Sequence, residues 1–386
     1  MKPILFSALL TLAAGFAAAQ SPETVLRGLW REGAAETTIA PVFLNQVPRA
    51  TLNDILSGLR TQFGPVQEIA PAPEGYTVIT ESHRVPARIG LDAEGRVAML
   101  WFGTPEPRVA DLAAAEALLA DLGQDVAWLA LRDGETLAAH RAGERLAVGS
   151  AFKLGVLSVL VEEIAAGRRD WADVVRIGAR HRSLPTGRLQ DFPEDAPVTL
   201  HTAALAMIAE SDNTATDLLL DTLGRDAVAA RLGLAPGDLL STREFFGLKA
   251  DADLRTEWLA ADTSDRPALA ARAARVLPPV AAVTGPHVDG LEWHLPLERL
   301  CALGAPLAEL PLMQVNPGPV PPGAPWTRIA YKGGSETGVL NFTALLRDAD
   351  GRDYCAALTV NDPGTVALDA AIGAFGAFLR GLAATP

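Results

Sequence analysis

The sequence predicts an α+β protein with a small domain followed by a larger one. The chain has 386 residues, 49% of them are hydrophobic, and segments of helical periodicity alternate with short segments of strand character. A chain of this length is typical of two domains of about 100 to 200 residues each. The apolar fraction is large enough for a substantial core and too large for a disordered chain.

The first nineteen residues have the three parts of a secretory signal peptide. Lys2 supplies a positive charge, an apolar run extends from Ile4 to Ala18, and small residues lead to Ala19. The alternative is an uncleaved membrane anchor, but a membrane span needs about 20 apolar residues and this run is shorter. We therefore expect an exported protein, periplasmic or secreted, that is cleaved near Ala19 and has no stable anchor afterwards.

Residues 23–105 predict a small α+β domain made of one helix and a four-strand meander. Apolar residues recur at helical spacing from Thr51 to Phe63. Glu74-Gly75 and Glu94-Gly95 are typical of turns between strands. The predicted strands are 66–69, 76–80, 85–91 and 97–102. Nothing in this domain indicates chemistry, and its role stays open.

Residues 108–386 predict a larger domain in which the two halves of one antiparallel sheet flank an all-helical insertion. A helix from Asp111 to Leu122 precedes a hairpin that turns at Asp133-Gly134, and a long helix begins at Ser150. Helical signals then continue to about residue 310. A last helix follows from Thr365 to Leu382 after three strands, 328–335, 339–347 and 354–360. We expect these five strands to form one sheet with helices on its faces.

Charge and composition exclude several kinds of partner. The formal net charge is -13 and no basic cluster occurs, which argues against nucleic acid and anionic membranes. The histidines and cysteines lack metal-ligand spacing, so we predict no metal and no cofactor. Cys301 and Cys355 could form a disulfide in an oxidising compartment or remain buried thiols. The oligomeric state cannot be read from the sequence.

Lysine is rare in this chain, and its positions draw attention to candidate catalytic residues. Of the 33 lysines and arginines only four are lysines, namely Lys2, Lys153, Lys249 and Lys332. Arginine cannot relay protons, whereas a lysine with a lowered pKa can. Two of the three lysines beyond the signal peptide lie within motifs that could carry catalysis.

Three short motifs contain the candidate chemistry. Ser150 lies one helical turn before Lys153, so the lysine can accept the proton of the serine hydroxyl. The second motif, 211–213, follows an apolar helical segment, and the third, 332–335, lies on a strand before a hairpin. Taken singly, the second serine could be a helix cap and the third-motif lysine a solvated strand residue. All three in this order argue against these alternatives and predict a catalytic site that combines hydroxyl, ammonium and amide groups.

The motifs resemble S-x-x-K, S-D-N and K-T-G, the signature of the class A β-lactamase branch of the penicillin-recognising serine hydrolases. They are separated by 61 residues (150 to 211) and 121 residues (211 to 332). The stretch from Ala147 to Leu223 is similar throughout, and the resemblance covers residues 108–386. It implies a β-lactamase-like domain. The small domain in front and the sequence Lys332-Gly333-Gly334 resemble a subgroup that includes the β-lactamase-like hydrolase of clavulanic acid biosynthesis.

The resemblance implies a catalytic role for four residues. Ser150 would be the acylated nucleophile, and Lys153 would be its base or proton relay. Ser211 would pass the proton to the leaving nitrogen, helped electrostatically by Lys332. The arrangement is that of a serine triad with lysine in place of histidine.

The resemblance also implies substrate-binding residues, with two departures from the family. Asn213, Gly333, Gly334 and Ser335 would bind substrate, and the N–H groups of Ser335 and the nucleophile would form the oxyanion hole. The family has a hydroxyl residue at the position of Gly333, where it helps to bind the substrate carboxylate. It also has a deacylating glutamate in an E-x-x-L-N loop that is missing here. Glu244 is the nearest candidate for that role, unless it is an ordinary ion-paired glutamate.

We therefore expect an exported serine hydrolase whose partner is a small-molecule acyl substrate, a β-lactam or a related amide or ester. One alternative is a β-lactam or cell-wall sensor that is acylated without turnover. Another is a D-Ala-D-Ala peptidase. These functions share the same nucleophile and oxyanion hole, so the sequence does not rank their substrates.

Overall fold

The computed structural model describes residues 20–321 and 324–385, which form two compact units that divide after Pro105. The predicted signal peptide, residues 1–19, lies outside the described residues. Within the described ranges, no helix is long and apolar enough to cross a membrane.

The first unit packs helices against one face of an antiparallel meander. Its buried side chains come from both layers and include Leu26, Trp30, Leu56, Val78 and Val85. The elements are α1 (Pro22–Glu32), α2 (Pro41–Leu44), α3 (Arg49–Phe63), β1 (Glu68–Ala72), β2 (Gly75–Ile79), β3 (His83–Leu91) and β4 (Val97–Phe102). The predicted helix and four strands are present, whereas α1 and α2 were not predicted.

The second unit is built on a five-stranded antiparallel sheet, as predicted. Its first elements are β5 (Glu106–Pro107), α4 (Leu112–Ala120), β6 (Asp125–Arg132), β7 (Glu135–His140) and β8 (Leu146–Ala147). Its last elements are β12 (Trp326–Glu336), β13 (Val339–Asp348), β14 (Asp353–Asn361) and α13 (Leu368–Ala383). The sheet has the order β12-β13-β14-β6-β7, so β12 is an edge strand. The predicted turn between β6 and β7 has positive φ angles at Asp133 (50°) and Gly134 (89°), as a tight hairpin requires.

Alternate residues of the sheet face two separate apolar cores. Leu129 and Leu345 point to the core beneath the helical insertion, while Trp128 and Phe342 point to the core beneath α4 and α13. The strands β13 and β14 are therefore buried on both faces along almost their whole length.

The insertion between the two halves of the sheet is mostly helical but also contains short strands. Its helices are α5 (Lys153–Ala165), α6 (Leu200–Ala209), α7 (Asn213–Leu223), α8 (Arg225–Leu232), α9 (Thr242–Ala250), α10 (Ala252–Ala260), α11 (Arg266–Ala273) and α12 (Leu297–Gly304). Its strands are β9 (Val174–Ile177), β10 (Ala196–Thr199) and β11 (His294–Leu295). β9 pairs with β10, and β11 pairs with β8. The expectation of an all-helical insertion is corrected in this respect, because β-branched runs as short as Val174-Val175 give only a weak strand signal.

A disulfide joins the insertion to the sheet. Cys301 of α12 is bonded to Cys355 of β14, with their Cα atoms 5.8 Å apart. The sequence had left this pairing open. The bond holds α12 against the sheet face that also packs on α5, the helix that follows the candidate nucleophile.

Candidate active site

A cleft of about 450 Å³ lies between the edge strand β12 and the helical insertion. All three sequence motifs contribute to its wall: Gly149, Ser150, Ser211, Asn213, Lys332, Gly333, Gly334 and Ser335. In the part of the chain that the structure describes, no group of three His, Cys, Asp or Glu side chains could hold a metal ion.

Ser150 lies in a short 3-10 turn, Gly149–Phe152, that leads directly into α5. The edge strand β12 passes against this turn at glycine positions. A Cβ atom added to Gly334 would lie 2.4 Å from the Ser150 nitrogen, and one added to Gly149 would lie 3.2 Å from the Ser335 nitrogen. Only glycine permits such a close backbone approach. It brings the two amide groups predicted for the oxyanion hole to one place.

Lys153 is fully buried and is held by the second motif. Its ammonium nitrogen donates hydrogen bonds to the Ser211 carbonyl (2.6 Å), the Ser211 hydroxyl (3.2 Å) and Asn213 Oδ1 (2.7 Å). Burial, and then the positive charge of Lys332, lower the pKa of Lys153 well below its ordinary value. A lysine in this environment can be neutral and act as a base. The structure has no Ser150–Lys153 hydrogen bond, and such catalytic contacts often form only with substrate present.

Ser211 lies between the two lysines of the cleft. Its hydroxyl is 3.2 Å from Lys153 Nζ and 3.0 Å from Lys332 Nζ. The backbone of Ser211 is in the left-handed region, with φ of 56°, a conformation that non-glycine residues adopt mainly where their surroundings enforce it. Thr186 supports it by donating a hydrogen bond to the Ser211 carbonyl at 2.6 Å.

Neither structural alternative for the second and third motifs holds. Asp212, not Ser211, caps α7, and its carboxylate accepts hydrogen bonds from the backbone of Ala215 (2.8 Å) and Arg188 (2.7 Å). Lys332 is buried rather than solvated, and burial lowers its pKa to about 7. The motifs therefore supply one hydroxyl between two buried amines.

Gly333 has a partner that the sequence analysis missed. A Cβ atom at position 333 would lie only 2.0 Å from the hydroxyl of Tyr331, two residues earlier on the same strand. The Tyr331 ring is packed against Gly318, where an added Cβ would lie 2.6 Å from ring carbons. Burial raises the pKa of Tyr331, so the phenol remains a hydrogen-bond donor. Tyr331 thus places a hydroxyl beside Gly333, and its position on the same strand face was the available sequence signal.

The structure does not bring Glu244 into the cleft. Glu244 Oε2 accepts a hydrogen bond from the Ser241 backbone (2.8 Å), and Oε1 accepts one from Arg225 (2.8 Å). The Ser241 hydroxyl in turn accepts from the Glu244 backbone at 3.2 Å, which completes a capping box at the start of α9. This position favours the alternative given for Glu244, an ordinary ion-paired glutamate, over a role as the deacylating residue. The S-x-x-E spacing was the overlooked signal.

Comparisons with known proteins agree with this fold. Residues 112–254 match the model of the Beta-lactamase enzyme family. A comparison with curated proteins gives no match. The β-lactamase of Sphaerobacter thermophilus DSM 20745 is 23% identical, and the alignment covers 71% of this chain and 95% of that chain with a TM-score of 0.50. The β-lactamase of Desulfarculus baarsii DSM 2075 is 22% identical, with 72% and 100% covered and a TM-score of 0.50.

A mutant of the class A β-lactamase of the last common ancestor of Gram-negative bacteria is 15% identical, with 70% and 97% covered and a TM-score of 0.50. These likenesses confirm the predicted α+β, β-lactamase-like fold, and the family match supports the resemblance to β-lactamase-like enzymes. The family match contains the first two motifs, and the third lies beyond it on β12. The likeness of residues 23–105 to one subgroup stays a prediction.

Proposed function

We propose that this chain, with its β-lactamase-like fold, is an exported serine hydrolase that forms an acyl-enzyme on Ser150. Its substrates would be β-lactams or related amides and esters. The observation that carries the proposal is the Ser211 hydroxyl, which contacts two buried lysines in the cleft that Ser150 also lines. Burying two lysine side chains beside one hydroxyl lowers the stability of the folded protein. Such groups occur mainly at functional sites, where they can transfer protons.

The acylation steps follow from these positions. Neutral Lys153 takes the proton of the Ser150 hydroxyl as the oxygen attacks the substrate carbonyl. The oxyanion forms beside the amide groups of Ser150 and Ser335. The proton then moves from Lys153 through Ser211 to the leaving nitrogen as the carbon–nitrogen bond breaks, and the charge of Lys332 stabilises the electron density on the Ser211 oxygen.

Export is supported by two independent features. The first nineteen residues have the composition of a signal peptide. The Cys301–Cys355 bond belongs to a class of cross-link that persists in oxidising compartments. We therefore propose a location in the periplasm or outside the cell.

A second candidate function is a sensor that is acylated without turnover. The position of Glu244 outside the cleft favours it, because the nearest candidate for the deacylating glutamate is engaged in a helix cap. Acylation would be the same in both cases. The lifetime of the acyl-enzyme distinguishes them.

The test is intact-mass spectrometry of the mature protein mixed with benzylpenicillin, a cephalosporin or a D-Ala-D-Ala peptide. We expect a covalent adduct on the native protein and none on Ser150→Ala. Decay of the adduct indicates a hydrolase, and persistence indicates a sensor. Absence of any Ser150-dependent adduct with all three acyl donors would refute the proposal.

A further inference from the structure

A buried ion cluster lies beside the cleft and has no part in the acylation steps. It consists of Lys249, Glu292 and Glu336. Lys249 Nζ is bonded to Glu336 Oε2 and lies 3.9 Å from Glu292 Oε1. The side chains of Lys249 and Glu292 are 3% and 0% exposed, whereas that of Glu336 is 18% exposed. Glu336 is thus the member of the cluster that reaches the surface.

Glu336 is directly connected to the catalytic cleft. It lines the same cleft as Ser150 and follows Ser335 at the end of β12. The cleft has one other lining carboxylate among the described residues, Glu210, and both its oxygens accept hydrogen bonds from Arg188, at 2.7 and 2.9 Å. Both carboxylates are therefore paired, and Glu336 is distinguished by following directly after Ser335, whose amide is predicted for the oxyanion hole.

The cluster holds two carboxyl groups for one ammonium group. The Glu292 side chain is 0% exposed and its Oε1 lies 3.9 Å from Lys249 Nζ, and a buried charge without a close partner is costly, so Glu292 is the carboxyl group that retains a proton. Burial, followed by the neighbouring Glu336, raises the pKa of Glu292 well above its ordinary value. Glu292 Oε2 and Glu336 Oε1 have no hydrogen-bond donor among the described residues, and a proton on Glu292 supplies one. Glu336 is then the carboxyl group that pairs with Lys249.

Lys249 gives independent support for a functional cluster. The described residues contain three lysines, and all three are buried in or beside this cleft: Lys153, Lys249 and Lys332. Lys249 also lies 5.5 Å from the centre of the Phe245 ring, which itself lines the cleft. The rarity of lysine that drew attention to two motifs applies equally to this third position.

We propose that Glu336 is the general base of deacylation, with Lys249 and Glu292 as residues that position it. This inference rests on the acyl-enzyme proposed above. Glu336 takes a proton from a water molecule as the water oxygen bonds to the acyl carbon. The bond from that carbon to the Ser150 oxygen then breaks, and the proton reaches this oxygen. The products are the free acid, the Ser150 hydroxyl and an ionised Glu336.

The experiment follows the decay of the benzylpenicillin adduct by intact-mass spectrometry after excess substrate is removed. We expect Glu336→Gln to form the adduct at about the native rate and to lose it at least about 100-fold more slowly. Glu336→Asp, which retains a carboxylate, should decay at an intermediate rate. Glu244→Gln is the matched control, because glutamine can replace glutamate in a capping box and the adduct should decay as in the native protein.

Glu336→Gln leaves Lys249 without its ionised partner, so the double variant Glu336→Gln/Lys249→Met provides a neutral cluster that is expected to fold. If the double variant forms the adduct at the native rate, the cleft of the double variant is intact. Equal decay in the native protein and the Glu336 variants overturns the inference, as does a native adduct that never decays or a trapped adduct in Glu244→Gln alone. Failure of all variants to form an adduct refutes the acyl-enzyme itself.

Discussion

At Ser211 one hydroxyl is shared by two buried amines, and this contact explains how lysine can act as a base here. Lys153 and Lys332 are both removed from water, which lowers the pKa of each, and the charge of Lys332 further disfavours a positive charge on Lys153. Proton transfer through the hydroxyl between them lets one amine stay neutral while the other keeps its charge. The pair therefore behaves as a coupled system rather than as two separate lysines.

The hydroxyl of Tyr331 fills the space beside Gly333, and we expect it to bind a carboxylate of the substrate. Tyr331→Phe should lower the acylation rate with benzylpenicillin by about 10-fold or more, since a hydrogen bond to a charged group contributes about 1.5 to 3 kcal/mol. The methyl ester of benzylpenicillin should be affected far less. The phenylalanine ring keeps the packing on Gly318. Rates of adduct formation measure the effect.

Tyr354→Phe is the control for this prediction. It removes a phenol that donates a hydrogen bond to Asp348 on the same sheet, outside the cleft. Acylation should stay at the native rate in this variant. The acylation rate with the free acid can be divided by the acylation rate with the ester. If this ratio is the same for Tyr331→Phe and the native protein, the hydroxyl does not bind the carboxylate.

At the scale of elements, the site depends on the crossing of β12 over the 3-10 turn at Ser150. We expect Gly334→Ala to reduce acylation at least about 100-fold, because the added Cβ would lie 2.2 Å from the Val148 carbonyl and 2.4 Å from the Ser150 nitrogen. The strand and the turn must then separate, which disrupts the oxyanion hole. Adduct formation is the measurement, and far-UV circular dichroism checks the fold.

Gly58→Ala is the control for this crossing, since its added Cβ meets nothing within 4 Å. It should acylate as the native protein does. Near-native acylation of Gly334→Ala would show that the amides of Ser150 and Ser335 do not need this close contact.

The elements also show which parts of the fold are predictable from sequence. The hairpin at Asp133-Gly134 and the helix ending at Phe63 depend on neighbouring residues, so local patterns predicted both. Helix α1 has the start signal of Ser21 followed by Pro22, but its short apolar pattern was overlooked. The strand Val174–Ile177 is stabilised by pairing with a distant segment, which local periodicity does not reveal.

At the scale of the whole molecule, the site residues also divide into those that a local pattern predicts and those that only the fold brings together. Ser150, Lys153, Ser211 and Lys332 could be predicted because each lies in a short motif. Lys249 and Glu336 are 87 residues apart in sequence and meet only through the fold, so no local pattern joins them. Their recognition needed the burial and the ion pair that the structure provides.

Buried lysines also govern how the stability of the molecule depends on pH. The pKa of Lys332 is about 7 in the folded protein and about 10.4 in an unfolded chain. Between these values the unfolded chain holds a proton that the folded protein has lost. Stability therefore rises with pH in this window, by at most about 1.4 kcal/mol per pH unit for this group. Below pH 7 the cost of the buried charge is fully present.

Lys332→Met removes the buried charge and tests whether stability rises with pH because of it. We expect the variant to unfold at a higher temperature than the native protein at or below pH 7, and the difference to narrow steadily toward pH 10. Calorimetric unfolding midpoints at several pH values between 6 and 10 measure it. Arg328→Met, on the same strand but paired with Asp353 outside the cleft, is the control and should show no such narrowing. If the difference in unfolding midpoint between Lys332→Met and the native protein does not change with pH, Lys332 has an ordinary pKa. Lys153 would then be the only lysine beside Ser211 with a lowered pKa.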